Sequence, residues 1–417
     1  MQKILENFLE ISKIRRCSYQ TQEMEEFLID FAKKFDYTIK VDKAKNILIY
    51  KNNPKIALQA HYDMVCVGEA PNIQLEIKDN IIRAKNSSLG ADNGIAIAMM
   101  MMELIKERVD AEFLFTNDEE VGLIGAKNLE LSLKSRYLLN LDSEDEATIY
   151  IGCAGGADIV GEYEDTLVES NLTFYEVAAK NLPGGHSGVD INKNIPNANN
   201  KLLEFIIDNN LQIAQFKGGE RINSIAANAT AVVGALQPIK SNSLVEVKPL
   251  NKKFKIVEFD PKIIFRLKYG PLRYNQKFNV VEDSRNLSII EINSTKIEIK
   301  ISNRSLKNEN LDALEKEVKE IFKDFKIETI DRYFAWKPEV NSFSKKVKET
   351  LKKEFKDSSY EVIHAGLECG VLKEKYPNME FASIGPNIFF PHSKKEYCEI
   401  DSINKTFKAL EQLIEVI

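Results

Sequence analysis

The sequence is poor in cysteine and histidine, and it has no long run of apolar residues. Only five cysteines and four histidines occur among its 417 residues. The cysteines are scattered without CxxC spacing, which excludes a zinc ribbon, and we expect them to be reduced thiols. The most apolar stretch, residues 95–102, is far shorter than the ~20 residues that span a bilayer. Membrane bundles and disulfide-rich scaffolds are therefore excluded.

The chain also lacks an excess of basic charge. Its 57 Lys and Arg residues are outnumbered by 63 Asp and Glu residues, so that the net charge is −6. We therefore expect no nucleic-acid partner. The first twenty residues contain no signal-peptide core or cleavage site, which favours a cytoplasmic protein without membrane attachment. With 44% hydrophobic and 29% charged residues, the composition is that of a globular protein with about two to three domains.

Helical and strand patterns alternate through the first 170 residues. A helix is expected after Thr21, and buried strands are expected at 56–60, 113–116 and 137–141. Such alternation predicts a sheet that is covered on both faces.

The middle of the chain has a different character. Between about Asn181 and Glu339 the pattern predicts a helix at 198–209 and alternating strands that include 254–259 and 289–301. This composition is typical of a smaller α+β unit, and afterwards the alternation of helix and buried strand returns.

The simplest arrangement is one α/β domain interrupted by an inserted domain. We predict a mixed-sheet domain of residues 1–178 and 340–417, and an inserted α+β domain of residues 179–339. The inserted domain would close over the first as a lid, with hinges near Ala179 and Glu339.

Imidazole and carboxylate side chains follow the ends of the predicted buried strands. These residues are His61, Asp63, Glu119, Glu120, Asp142 and His392, with Asp92 at a helix entrance. Ligands bind beyond the strand ends of open α/β sheets. Several carboxylates at one edge repel one another unless cations balance them. Histidine and carboxylate ligands without a thiolate suit Zn²⁺, Mn²⁺ or Co²⁺, and a pair of ions needs one bridging carboxylate.

Such a pair of ions suggests hydrolytic chemistry. Two divalent ions lower the pKa of a shared water, so that hydroxide is available near neutral pH. A further carboxylate that is not a ligand must then accept the proton of the water and pass it to the leaving group.

Each motif has an ordinary structural explanation when it is taken alone. The Glu119–Glu120 pair is typical of a solvated loop, Asp142 could cap a helix, and residues 90–94 fit a turn before a helix. The combination favours a metal site, because three of the four histidines lie beside Gly, Pro or acidic residues at segment junctions. These are His61, His186 and His392.

Seven segments also carry a family pattern. They are LQAHYDMVCV (58–67), SSLGADNGIAIA (87–98), LFTNDEEVGLIGA (114–126), LLNLDSEDEATIYIGCAGG (138–156), GGHSGVDINK (184–193), HAGLECG (364–370) and SIGPN (383–387). In this order, and over nearly the whole chain, they resemble the aminoacyl-histidine dipeptidases. This family, also called Xaa-His dipeptidase or peptidase D, is a branch of the co-catalytic zinc metallopeptidases. The resemblance implies an α/β fold, with a mixed-sheet metallopeptidase domain and an inserted α+β lid domain.

The resemblance implies a ligand set for two metal ions. Asp92 would bridge the ions. His61 and Asp142 would complete the coordination of one ion, and Glu120 and His392 that of the other.

The resemblance also implies catalytic roles. Glu119 would be the general base and acid, and Asp63 would orient and polarise the imidazole of His61. His186, in the inserted domain, would stabilise the oxyanion of the tetrahedral intermediate.

Three further residues are implied to bind substrate. Arg304 resembles the arginine that holds the free carboxylate of the substrate, and Gly366 would approach the peptide backbone. Asn223 opens the segment NSIAANA, where relatives carry an Asn-Ala-Ile-Pro-Arg-Glu-Ala type segment. The missing Pro-Arg-Glu and the shorter inserted domain imply a shifted specificity.

We therefore predict a cytoplasmic, metal-dependent dipeptidase that hydrolyses short peptides such as Xaa-His. Two divalent ions, Zn²⁺ or else Mn²⁺ or Co²⁺, would share a hydroxide, with Glu119 as the general base. Two alternatives remain open: an amidohydrolase or deacetylase of N-acyl amino acids on the same metal site, and a catalytically silent peptide-binding scaffold. The resemblance also implies a homodimer.

Overall fold

The computed structural model describes residues 2–417 and separates them into two units. The first unit comprises the chain up to Cys153, Trp336–Val362 and Leu367–Ile417, and the second comprises Ala154–Ala335 and Ile363–Gly366. The first boundary lies before Ala154, whereas the sequence pattern placed it before residue 179. The strand Gly155–Glu164 pairs with two strands of the second unit. A strand pattern does not indicate which sheet the strand joins, which explains the difference.

The first unit contains an eight-stranded mixed sheet. Its four parallel strands are almost fully buried, as expected for strands that are covered on both faces. The strand order is Thr38–Val41, Ile47–Tyr50, Glu112–Thr116, Ile56–His61, Tyr137–Asn140, Glu380–Ser383, Thr148–Cys153 and Ser359–Ile363. A second sheet of this unit has the order Ile388–Phe389, Tyr397–Glu399, Ile81–Ala84 and Leu75–Lys78.

The helices of the first unit bury apolar stripes at helical spacing. The helix after Thr21 buries Met24, Leu28 and Phe31, as its pattern predicted. All residues of Ala98–Ile105, a wider π-helical segment, are buried. The helices are Gln2–Ile11, Gln22–Lys33, Ala91–Ile97, Ala98–Ile105, Ile124–Lys127, Ser342–Glu354, Glu368–Lys375 and Ile400–Val416.

The second unit is built on a nine-stranded antiparallel sheet. Eight strands have the order Glu246–Leu250, Thr173–Ala179, Ala229–Ala235, Gln212–Gly218, Val280–Asn293, Lys296–Ser305, Gly155–Glu164 and Lys326–Tyr333, and Gly270–Asn275 pairs with Val280–Asn293. The helices are Ala198–Asp208, Asn308–Ile321 and the 3₁₀ helix Pro261–Arg266. Apolar residues from the sheet and these helices share one core. Two short strand pairs are Leu167–Val168 with Ile256–Val257, and Gly185–His186 with Ser224–Ile225.

Two strand predictions in this unit were wrong in their bounds. The apolar alternation at 289–301 belongs to two antiparallel strands, because the chain turns back at Ser294 with φ of 55°. In the predicted strand at 254–259, only Ile256–Val257 forms a strand. The sequence did carry a signal for this turn, because Asn293 and Ser294 are turn-forming residues and the step from Ile292 to Ile297 breaks the period of two.

Cys17 and Cys66 form a disulfide, which corrects the expectation that all the cysteines are reduced. Their Cα atoms are 5.5 Å apart, within the normal range for a disulfide. The backbone brings them together, because Cys17 forms a bridge with Met64, and the N–H of Ser18 donates to the carbonyl of Met64. Nothing in the local spacing predicts this long-range contact. Cys153, Cys369 and Cys398 are buried free thiols.

None of the helices within residues 2–417 combines the length and the apolar character that crossing a bilayer requires.

Candidate metal centre

Neighbouring parallel strands of the first unit end at one edge of the sheet and deliver polar side chains there. His61 is the last residue of its strand and pairs in register with Thr116 of the next. Glu119 and Glu120 follow shortly after Thr116, and Asp142 lies just beyond the strand Tyr137–Asn140. The sheet register therefore brings together side chains that are far apart in sequence.

Asp92 divides its two carboxylate oxygens between two groups of side chains. Its Oδ1 lies 3.0 Å from His61 Nε2, which is also 3.3 Å from Asp142 Oδ1. Its Oδ2 lies 3.0 Å from His392 Nε2, which is also 2.8 Å from Glu120 Oε1. In each group, the atoms that could bind a metal lie within 4.8 Å of one another. Two adjoining groups therefore have Asp92 in common.

The nitrogen and oxygen atoms of these two groups are arranged better for binding divalent cations than for hydrogen bonding to one another. Each Nε2 faces two carboxylate oxygens but carries at most one proton. The contact between His392 Nε2 and Glu120 Oε1 lacks hydrogen-bond geometry. Within residues 2–417, Glu120 Oε1 has no regular hydrogen-bond partner, and neither has His61 Nδ1. Two imidazoles and three carboxylates without a thiolate are a ligand set that suits Zn²⁺, Mn²⁺ or Co²⁺. The residues therefore fit two divalent ions.

The pKa values of these side chains reflect the crowding of charge. Burial lowers the pKa of His392, but Asp92 and Glu120 outweigh this effect and raise it to about 11. Burial, together with the charge of Asp92, raises the pKa of Glu120 to about 7. Bound cations would relieve the repulsion between these neighbouring carboxylates.

Asp63 connects the imidazole of His61 to the backbone of both glutamates. Its buried carboxylate accepts the N–H of Glu119 at 2.9 Å and the N–H of Glu120 at 3.3 Å. Its Oδ1 lies 3.3 Å from His61 Nδ1, and its Oδ2 accepts the hydroxyl of Ser18 at 2.8 Å. Asp63 therefore fixes the imidazole and the glutamate backbone relative to each other.

The side chain of Glu119 lies beside the two groups. With His61 and Glu120 it forms a third set of candidate ligand atoms within 4.8 Å of one another. Burial raises the pKa of Glu119 well above that of an ordinary carboxyl group; His61 opposes this rise, and Glu120 and Asp142 add to it. A raised pKa makes a carboxylate a stronger base than usual, which is the property that a proton acceptor needs.

The remaining predicted site residues, His186, Asn223, Arg304 and Gly366, belong to the second unit. The Nδ1 of His186 accepts the N–H of Gly188 at 3.1 Å and that of Val189 at 3.2 Å. The ring proton is therefore assigned to Nε2, which makes that nitrogen a hydrogen-bond donor. Asn223 is exposed and precedes Ser224, which pairs with His186.

Arg304 and Gly366 meet at the ring of Tyr333. Arg304 is buried, and its Nη1 donates to the Tyr333 hydroxyl at 2.6 Å. Its Nε has no hydrogen-bond partner in the described part of the chain. A Cβ atom at Gly366 would lie 2.7 Å from the Tyr333 ring, and one at Gly156 would lie 2.5 Å from it. Both glycines therefore make room for this ring, which gives Gly366 a packing role that the sequence did not reveal.

Glu368 is a buried acid near the candidate metal centre to which the sequence patterns gave no role. It accepts hydrogen bonds from Gln59 and from the Thr116 hydroxyl, and both donors lie on strands that end at the site. Burial raises its pKa to about 7. The available signal was its place in the segment HAGLECG, of which only Gly366 was singled out.

Comparisons with known proteins give the family. Residues 57–416 match the model of peptidase family M20/M25/M40. The chain belongs to this family. A cytosol non-specific dipeptidase from Escherichia coli (strain K12) is 31% identical over 473 residues, covering 100% of this chain and 98% of the relative.

Solved structures agree with this family. Aminoacylhistidine dipeptidase from Vibrio alginolyticus matches with a TM-score of 0.83 and 28% identity, covering 100% of this chain and 96% of that one. Human carnosine dipeptidase 1 has a TM-score of 0.58 and 12% identity, covering 100% and 97% of the two chains, and shares the fold. The predicted fold class and the resemblance to the aminoacyl-histidine dipeptidases are confirmed.

Proposed function

We propose that this peptidase is a metal-dependent dipeptidase with two divalent ions, most simply Zn²⁺, and that it cleaves short peptides such as Xaa-His. The observation that carries the proposal is the position of Asp92, whose two oxygens each lie 3.0 Å from a different imidazole. A single carboxylate between two histidine–carboxylate groups is the arrangement that a pair of neighbouring ions requires. The dipeptidase names of the Escherichia coli and Vibrio relatives support the substrate class.

In the proposed site, the two ions would share Asp92. His61 and Asp142 would hold one ion, and Glu120 and His392 would hold the other, in keeping with the two groups of ligand atoms. When bound, the ions would supply Lewis acidity and lower the pKa of the attacking water.

Glu119 is the proposed proton carrier of the reaction. Its carboxylate accepts a proton from the attacking water and returns it to the departing amine nitrogen when the peptide bond breaks. Its raised pKa makes it a stronger proton acceptor than an ordinary carboxylate. The hydrogen bond from its N–H to Asp63 holds this segment in place.

The second unit is proposed to act on the substrate as a lid. His186 would donate its Nε2–H to the oxyanion of the tetrahedral intermediate, which the assigned tautomer supports. Arg304 would bind the free carboxylate of the peptide, with Tyr333 holding one end of the guanidinium. Asn223 and Gly366 are proposed to lie near the peptide backbone.

We further propose a cytoplasmic location and a homodimer. The name of the Escherichia coli relative supports the first. Disulfides are rare in the cytoplasm, so the Cys17–Cys66 bond would form there only under oxidising conditions.

The test is a hydrolysis screen with the metal-free chain, loaded separately with Zn²⁺, Mn²⁺ or Co²⁺. Ala-His and β-Ala-His are compared with an N-acetyl amino acid, and released amine is measured. We expect dipeptide cleavage that the Glu119→Gln variant lowers by about 10²–10⁴-fold while metal binding is retained. Preference for the acylated compound would indicate a deacetylase. No amine release, with no effect of the substitution, would indicate a peptide-binding scaffold.

A further inference from the structure

The Glu396 carboxylate caps the segment that carries Asp92. It is buried and accepts hydrogen bonds from four successive backbone N–H groups, those of residues 89–92, at 2.8, 3.1, 2.8 and 3.4 Å. The helix Ala91–Ile97 begins here, and Gly90 before it has no side chain to serve as a cap. A carboxylate some 300 residues away in sequence therefore satisfies these donors.

Glu396 also belongs to the segment that carries His392. Its own N–H donates to the carbonyl of Ser393 at 3.2 Å, which closes a tight turn directly after the histidine. One side chain thus ties the backbone of the Asp92 segment to the backbone of the His392 segment. The imidazole of His392 then lies 3.0 Å from Asp92 Oδ2.

Arg16 makes the corresponding connection on the other side of Asp92. Its guanidinium is buried, donates to the carbonyl of Asp63 at 3.1 Å and donates also to the carbonyl of Gly90. A Cβ atom at either Gly90 or Gly94 would lie 2.5 Å from this guanidinium. The two glycines of the motif GADNG therefore leave the space that Arg16 occupies.

We propose that Glu396 and Arg16 are positioning residues that hold the Asp92 segment against the segments of His392 and His61, and so set how two ions share Asp92. This inference rests on the proposed metal centre. Neither residue is among the candidate ligands. Their contacts are to backbone groups, so they act through the position of Asp92 and not through contact with the substrate.

The test measures metal binding and not only activity. The metal-free full-length chain is titrated with Co²⁺, whose visible absorption spectrum reports coordination geometry, and bound metal is counted for each chain. In Glu396→Gln, an amide NH₂ replaces one acceptor and faces backbone N–H donors. In this variant we expect the more weakly bound of the two Co²⁺ ions to bind about 10–100-fold less tightly than in the wild type. We also expect an altered Co²⁺ spectrum. Arg16→Lys, which keeps the charge but reaches only one carbonyl, is the second variant and should show a smaller loss of the same kind.

Glu112→Gln is the matched control. Glu112 is also buried and also accepts backbone N–H groups, from Lys134 at 3.0 Å and Ser135 at 2.9 Å, at the start of its strand and not at the site end. This control should lower stability while the Co²⁺ spectrum and affinities stay at wild-type values. If Glu396→Gln and Arg16→Lys bind two Co²⁺ ions with wild-type affinity and spectrum, the positioning role is wrong. If the wild type itself does not bind two ions, the proposed metal centre fails as well.

Discussion

Replacing Asp63 by Asn tests whether this buried carboxylate prepares the site for metal and catalysis. Its two oxygens accept the N–H of Glu119, the N–H of Glu120 and the hydroxyl of Ser18, and Oδ1 lies 3.3 Å from His61 Nδ1. An amide keeps the shape but turns one acceptor into a donor. At least one of these donors then faces an NH₂ group in a buried place, where no water replaces the lost bond.

The magnitude follows from the number of contacts that change. Losing one hydrogen bond to a charged group costs about 1.5–3 kcal/mol. A residue that supports metal ligands usually changes metal affinity or activity by about 10–100-fold, which corresponds to about 1.4–2.7 kcal/mol. The two ranges overlap, so we expect Asp63→Asn to weaken binding of the ion at His61 by about one to two orders of magnitude. The turnover rate on Ala-His should fall by a comparable factor.

The assay is a metal titration followed by steady-state kinetics at saturating metal. Glu112→Gln again serves as the control, because it removes a buried carboxylate from the far end of the strand that leads to Glu119. The reasoning is refuted if Asp63→Asn keeps wild-type metal affinity and turnover. It is also refuted if the Glu112 variant loses as much metal affinity as the Asp63 variant.

Two further predictions concern a buried histidine and the cysteine pair. Burial, with a contribution from the charge of Arg304, lowers the pKa of His364 to about 3. As the pH falls below about 6.5, His364 becomes protonated in the unfolded chain but stays neutral in the folded chain. This difference destabilises the folded state by about 2 kcal/mol at pH 5. His364→Gln should show a correspondingly smaller stability loss between pH 7 and pH 5 in urea unfolding, and equal losses in both proteins would contradict this assignment. Alkylation of air-purified protein, unfolded without reductant, should label three cysteines, and all five after reduction; labelling of all five at once would show that Cys17 and Cys66 are not bonded.

The sequence indicated the residues that carry the chemistry of the site better than the residues that hold their segments in position. His61 and Asp142 stand at the ends of apolar strands, and residues at such ends are expected to share one edge of the sheet. Their nearness to each other follows from that rule. Glu396 and Arg16 lie in segments without a strand pattern, and their partners are backbone groups, which leave no mark on residue type. No local pattern could have assigned these two roles.

Residue types, strand periodicity and the family motifs by themselves determined the fold class and the family of this chain. They did so because side-chain chemistry and apolar spacing are local properties of a sequence. The tertiary structure alone decided that Gly155–Glu164 joins the second unit, that Cys17 meets Cys66, and that the Tyr333 ring fits between two glycines. Each of these depends on which distant backbone segments come within contact distance, and that is settled only when the chain packs as a whole.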